Sequence, residues 1–135
     1  MATESMTFVK SSGDKFLVCV HRWSDGYLSD QGRCVADVIK LLYYHDDEEE
    51  LAFGLVAKMN ERMGDFGLAL WTPTLGSLMY CDYAYEVYRD RAARVLKMRV
   101  FRPHTADGKN VTLEELLFDG TPEELYAFLE QNPES

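Results

Sequence analysis

Twice between Tyr80 and Phe101 the chain alternates apolar and polar residues, with only a short break in the middle. Tyr83, Tyr85 and Val87 fall on one side of the first run, and Asp82, Ala84, Glu86 and Tyr88 on the other. In the second run Leu96, Met98 and Val100 oppose Lys97 and Arg99. A period of two belongs to an extended strand. The link Asp90-Arg91-Ala92-Ala93 is far too short for a parallel crossover, so the two runs form an antiparallel hairpin. Lys97 and Arg99 are then expected to face Glu86 and Asp82 across the pair, each contact contributing under ~1 kcal/mol. A hairpin with an apolar face must be covered by further elements, and the rest of the chain supplies them.

Thr7 to Lys10 and Phe16 to Arg22 read as two strands around the turn residues Ser11-Ser12-Gly13-Asp14. Leu68 to Thr72 reads as a short strand stopped by Pro73. Cys34, Val35, Val38, Ile39, Leu41 and Leu42 recur at helical spacing, with Ser29 or Asp30 placed to cap the helix and Tyr43-Tyr44-His45 at its end. Leu51, Leu55, Val56, Met59 and Met63 mark a second helix, stopped by Gly64. Near the C-terminus Thr121-Pro122-Glu123-Glu124 combines a capping hydroxyl, a proline at the first helical position and a glutamate at the third, ahead of Leu125, Tyr126, Phe128 and Leu129. Val111 to Phe118 is open: Thr112 and Glu115 make a second capping box, yet Leu116-Leu117-Phe118 suits a strand. The expectation is one α+β domain over residues 1–135. It has an antiparallel sheet of about five strands, with two central helices and a C-terminal helix packed on it.

Charge narrows the function classes. The chain carries 23 acidic residues against 14 Lys and Arg, a net charge of −9. That field opposes direct nucleic-acid binding. The acids and bases are also segregated: seven bases lie between Arg89 and Lys109, and seven acids with no base between Asn110 and Ser135. An acidic C-terminal segment packed near a basic hairpin is the simplest explanation. The three cysteines, Cys19, Cys34 and Cys81, share no CxxC spacing, which points to free thiols in a reducing compartment. Cys81, at a strand start, is expected to be the most exposed and the first to oxidise. No apolar run reaches membrane-spanning length and the N-terminus lacks a signal-peptide pattern, so a cytoplasmic protein without membrane attachment is expected. His21, His45 and His104 lie in separate segments, and neither a metal nor another cofactor is expected.

The segment His21-Arg22-Trp23-Ser24-Asp25-Gly26-Tyr27 joins a strand to a helix. Asp25-Gly26 suits a tight turn, and Trp23 and Tyr27 would cover a neighbouring sheet or helix end. His21 within reach of Asp25 would either lock the corner or serve as an acid–base pair. This hairpin and loop, the helix after them and the closing Gly120-Thr121-Pro122-Glu123-Glu124-Leu125 resemble a family of small bacterial and phage proteins. Their hairpin ends in Arg-His-Trp-Asp-Gly-Tyr-Pro. Here the first two residues are exchanged as His21-Arg22, Ser24 is inserted, and Leu28 stands for the proline. The resemblance implies the fold and a mobile-element setting, and it brings no activity.

Three classes of function follow. The leading expectation is a phage- or prophage-type accessory protein that binds and inhibits a host protein, such as a nucleic-acid-handling defence complex. Its acidic surface (Asp46, Asp47, Glu48, Glu49, Glu50, Glu123, Glu124) would imitate a row of phosphates. The alternative is a module for a small anionic ligand such as a nucleotide, held by Tyr88, Arg89, Arg91, Arg94 and Arg99. The third is a small enzyme using His21 and Asp25; no recognisable catalytic motif supports it, and no enzyme is expected. A homodimer is compatible with all three.

Overall fold

The structure, a computed structural model, describes residues 3–10, 16–42, 47–63, 68–71, 81–105 and 111–135. The expected turn at Ser11–Asp14, the residues Tyr43 to Asp46, the stop at Gly64, Pro73 and Tyr80 lie outside the described residues. Strands β1 (Ser5–Lys10), β2 (Phe16–Arg22), β3 (Leu68–Trp71), β4 (Tyr83–Asp90), β5 (Val95–Thr105) and β6 (Val111–Gly120) form one sheet in the order β3-β2-β1-β4-β5-β6. Helices α1 (Arg33–Leu41), α2 (Glu48–Met63) and α3 (Pro122–Gln131) complete an α+β fold.

The sheet is mixed rather than wholly antiparallel. β1 runs parallel to β4, Ser5 opposite Tyr83 through Phe8 opposite Glu86, while every other neighbouring pair is antiparallel. β4 reaches β1 only after two helices and β3, a connection long enough for a parallel crossover. The open segment resolves as strand: β6 pairs with β5, Leu116 opposite Phe101 and Glu115 opposite Arg102. Ladder bonds and the half-buried side of β6 outweigh the capping box at Thr112.

One face of the sheet carries the helices. There Val9, Val20, Tyr85, Val87, Met98 and Val100 meet Val35, Val38 and Ile39 of α1, Leu51, Leu55 and Met59 of α2, and Leu125 and Leu129 of α3. Each such aliphatic or aromatic side chain contributes about 1.5–3 kcal/mol by leaving water. The other face has a smaller cluster of Met6, Phe8, Cys19, Cys81, Ala84 and Val111. The alternation Tyr83/Tyr85/Val87 against Ala84/Glu86/Tyr88 therefore separates the helix-bearing face from the opposite one.

Two helix starts behave differently. At α3, Thr121 Oγ1 accepts from the Glu124 amide at 3.2 Å and Glu124 Oε1 accepts from the Thr121 amide at 2.9 Å, the reciprocal box its sequence predicts. At α1 neither Ser29 nor Asp30 caps. Both sit inside a π-helical turn, Leu28–Gly32, in which the Tyr27 carbonyl accepts from the amides of Asp30, Gln31 and Gly32. The wider turn leads the chain from the loop into α1, and such turns gather at functional sites.

Candidate functional site: the Trp23 loop and its flanking cavities

The loop after β2 is fixed by its own backbone and by one buried side chain, Tyr85. Asp25 adopts φ 57°, the left-handed region that aspartate tolerates better than most residues. Gly26 follows because nothing larger fits: a Cβ there would stand 2.9 Å from the Thr3 carbonyl oxygen. The Gly26 amide donates to that same oxygen at 2.9 Å. From beneath, the hydroxyl of fully buried Tyr85 donates to the Gly26 carbonyl at 2.6 Å. Burial pushes that phenol well above its ordinary value of 10, so it stays protonated and keeps donating.

His21 and Asp25 do not meet in a hydrogen bond. His21 is buried on the sheet face opposite the helices, and its Nε2 lies 2.9 Å from Glu4 Oε1, with the Trp23 ring 4.8 Å from the imidazole. Asp25 instead stands 3.6 Å from Arg22 Nη2. The expected corner lock and the expected acid–base pair are both replaced. Alternation along β2 sends His21 and Arg22 to opposite faces, so Asp25 goes with Arg22 and Glu4 takes the histidine. The loop presents two rings to solvent, Trp23 at 42% exposed and Tyr27 at 45%, together with the exposed Ser24 and Asp25.

Two cavities lie beside the loop. One, of about 460 Å³, is bordered by Tyr27, Tyr83, Asp82, Arg102 and His104. Two of its side chains share one carboxylate: Glu115 accepts from Arg102 at 2.9 Å and lies 2.7 Å from His104 Nε2. The other, of about 800 Å³, lies between the loop, the π-turn and the end of α2. Arg22, Arg33 and Arg62 line it together with Asp25, Asp30, Asp37 and Glu61. Behind its wall runs a buried polar relay. Gln31 Nε2 donates to Thr7 Oγ1 at 2.9 Å, and Gln31 Oε1 accepts from Arg22 Nη1 at 2.9 Å, with Gln31 and Thr7 both fully buried.

The other predicted residues gather at the far end of the sheet. Glu48, at the start of α2, pairs with Arg91 of the β4–β5 turn at 3.1 Å. Asp47 accepts from the Glu49 amide at 3.1 Å, a local cap. Glu124 serves the α3 box, and Glu123 borders a cavity of about 410 Å³ with Lys40 and Arg94, whose φ is 58°. Glu49, Glu50 and Arg89 are placed at the same end, and Asp46 lies outside the described residues. On the face opposite the helices, Tyr88 donates to Asp119, and the Arg99 guanidinium lies 3.9 Å from the Tyr88 ring centre. Arg99 also pairs with Glu86 and Asp119, both at 3.4 Å. Lys97 faces Tyr88 and pairs with Asp90 at 2.9 Å rather than with Glu86 or Asp82, because the register is set by Asp90 opposite Val95. The basic hairpin and the acidic segments thus neutralise each other, as their segregation along the chain suggests.

Cysteine exposure runs opposite to expectation. Cys81 is buried, with its thiol pushed up to about 12 by desolvation, and so is Cys19; Cys34 is the half-buried one, beside the larger cavity. Phe53, 78% exposed on α2 and outside the buried stripe Leu51-Leu55-Met59, had no part in the sequence reading. Its position between two apolar-face residues is the signal that identifies it. Among the described residues no group of three or more His, Cys, Asp or Glu is arranged to hold a metal, and no helix is long and apolar enough to cross a membrane. No protein family, curated protein or solved structure matches the chain.

Proposed function

We propose that this chain is a phage- or prophage-type accessory protein of the host cytoplasm that acts by binding a host protein, and that the Trp23–Tyr27 loop makes the contact. One observation carries the reading: two large aromatic side chains stand 42% and 45% exposed on a backbone held by the Gly26–Thr3 and Tyr85–Gly26 bonds. A rigid loop loses little entropy on binding, and Trp and Tyr are the residue types on which interface energy concentrates.

The net charge of −9 favours a partner with a basic surface, such as a nucleic-acid-handling complex, and speeds the encounter. Three of the acids first expected to form the contact, Asp47, Glu48 and Glu124, are engaged in their own helix starts and in the arginine turn, which supports placing the contact at the loop. Of the hairpin arginines, Arg91 closes on Glu48 and Arg99 on Glu86 and Asp119, which lowers the anionic-ligand reading at that place. The His21–Glu4 contact in a buried setting supports a structural rather than a catalytic histidine.

The test is binding of the tagged chain to a candidate host protein by calorimetry, comparing the Trp23→Ala/Tyr27→Ala and Glu49→Lys/Glu50→Lys variants. Loss of affinity in the first pair with only a salt-dependent change in the second supports the loop. The reverse pattern moves the contact to the acidic end.

A further inference from the structure

The larger cavity beside the loop has features that a plain surface groove does not require. Its Arg22 side chain is aimed by a relay of two fully buried polar residues, Thr7 and Gln31. Burying such groups is unfavourable unless they are bonded, and here the bonds hold one guanidinium in place. Arg22 Nη1 is committed to Gln31, and the buried Arg22 Nε has no hydrogen-bond partner among the described residues. Nη2 stands 3.6 Å from Asp25 Oδ2, an ion-pair distance too long for a hydrogen bond, so its donors remain available at the cavity edge. The left-handed Asp25 and the π-turn, two departures from regular backbone, border the same space.

The lining holds both signs of charge. Asp37 is taken by Arg62 at 3.0 Å and by the Tyr126 hydroxyl, and Glu61 by Lys58 at 3.4 Å. What is left facing the cavity is the loose Arg22–Asp25 pair at 3.6 Å, Arg33, whose Nε donates to the Ser29 carbonyl at 3.4 Å, and Asp30. A simple anion would meet the two carboxylates, and a simple cation the two arginines. A compact molecule carrying both charges satisfies both pairs at once. The volume of about 800 Å³ is within the size range of small-molecule sites.

We infer that this cavity is a binding site for a small zwitterion of the α-amino acid class, its carboxylate on Arg22 and Arg33 and its ammonium on Asp25 and Asp30. The site lies on the chain itself and does not depend on the host partner.

The experiment is a ¹H–¹⁵N NMR titration of the full chain with glycine, L-alanine, L-arginine and L-glutamate at millimolar concentration. N-acetyl-L-alanine amide, inorganic phosphate and adenosine monophosphate are run in parallel. Saturable shifts confined to Ser24–Cys34 and Glu61–Arg62 with at least one free amino acid, absent with the blocked form, are expected. Asp30→Asn and Arg33→Ala, both exposed positions, should each weaken that binding roughly tenfold, the loss of about 1.4 kcal/mol. No saturable shift with any free amino acid, or equal binding of the blocked form, overturns the assignment. So does preference for phosphate or the nucleotide, or binding indifferent to both substitutions.

Discussion

The Tyr85 hydroxyl and the Gly26 carbonyl, 59 positions apart in the chain, meet in a buried 2.6 Å hydrogen bond that ties the aromatic loop to the central strand β4. Tyr85→Phe keeps the ring and removes only the donor. The Gly26 carbonyl then loses its buried partner, a cost of about 1–3 kcal/mol. Chemical denaturation should show that loss, and hydrogen exchange at Ser24–Tyr27 should accelerate while exchange in β5 and β6 stays as it was.

Gln31 makes a second prediction. Gln31→Leu retains the volume but strands Thr7 Oγ1 and Arg22 Nη1, both bonded to it in the native chain. Destabilisation of about 2–3 kcal/mol is expected from two unsatisfied buried groups. A stability change under 0.5 kcal/mol, the size of a neutral surface substitution at about that limit, would contradict the relay.

The α3 capping box predicts both a mutational and a pH effect. Thr121→Ala should cost about 1 kcal/mol. The bonds from the Thr121 amide and side chain hold the Glu124 carboxyl below its ordinary value of 4.5. A depressed carboxyl stabilises the fold above the unfolded value and loses that contribution as pH falls through the folded one. Acid unfolding followed by circular dichroism should therefore be less steep below about pH 4.5 in Glu124→Gln than in the native chain, once their stabilities at neutral pH are aligned.

Thiol reactivity should separate the cysteines. At pH 8 a maleimide should modify half-buried Cys34 first, with Cys19 and Cys81 protected by burial and by thiols pushed up to about 12. Peptide mapping after brief labelling reads the order directly, and early label on Cys81 would contradict it.

Local patterns made much of this fold legible before any coordinates. The alternation around Tyr85 and Met98, the stripe Leu51-Leu55-Met59 and the Thr121 box each depend on neighbours in sequence. The β1–β4 parallel pairing did not show, because nothing local in Ser5–Lys10 says which strand will lie on its second edge. The loop stands out in the sequence, but its internal logic does not. His21 is held by Glu4, and Gly26 by Thr3 and Tyr85, all from other strands or the chain before them. Arg33 and Arg62 escaped for the same reason: each becomes noticeable only when packing leaves it beside a cavity.

The most direct test of the loop as a recognition surface is parallel capture from a bacterial host lysate at low salt, with bound protein quantified by mass spectrometry. Three forms are compared: native, Trp23→Ala/Tyr27→Ala, and Glu49→Lys/Glu50→Lys. The account predicts one stoichiometric host protein on the native chain, retained by the charge-reversed form and absent from the loop variant, with all three equally folded by circular dichroism. A partner that stays with the loop variant and leaves the charge-reversed one would contradict it.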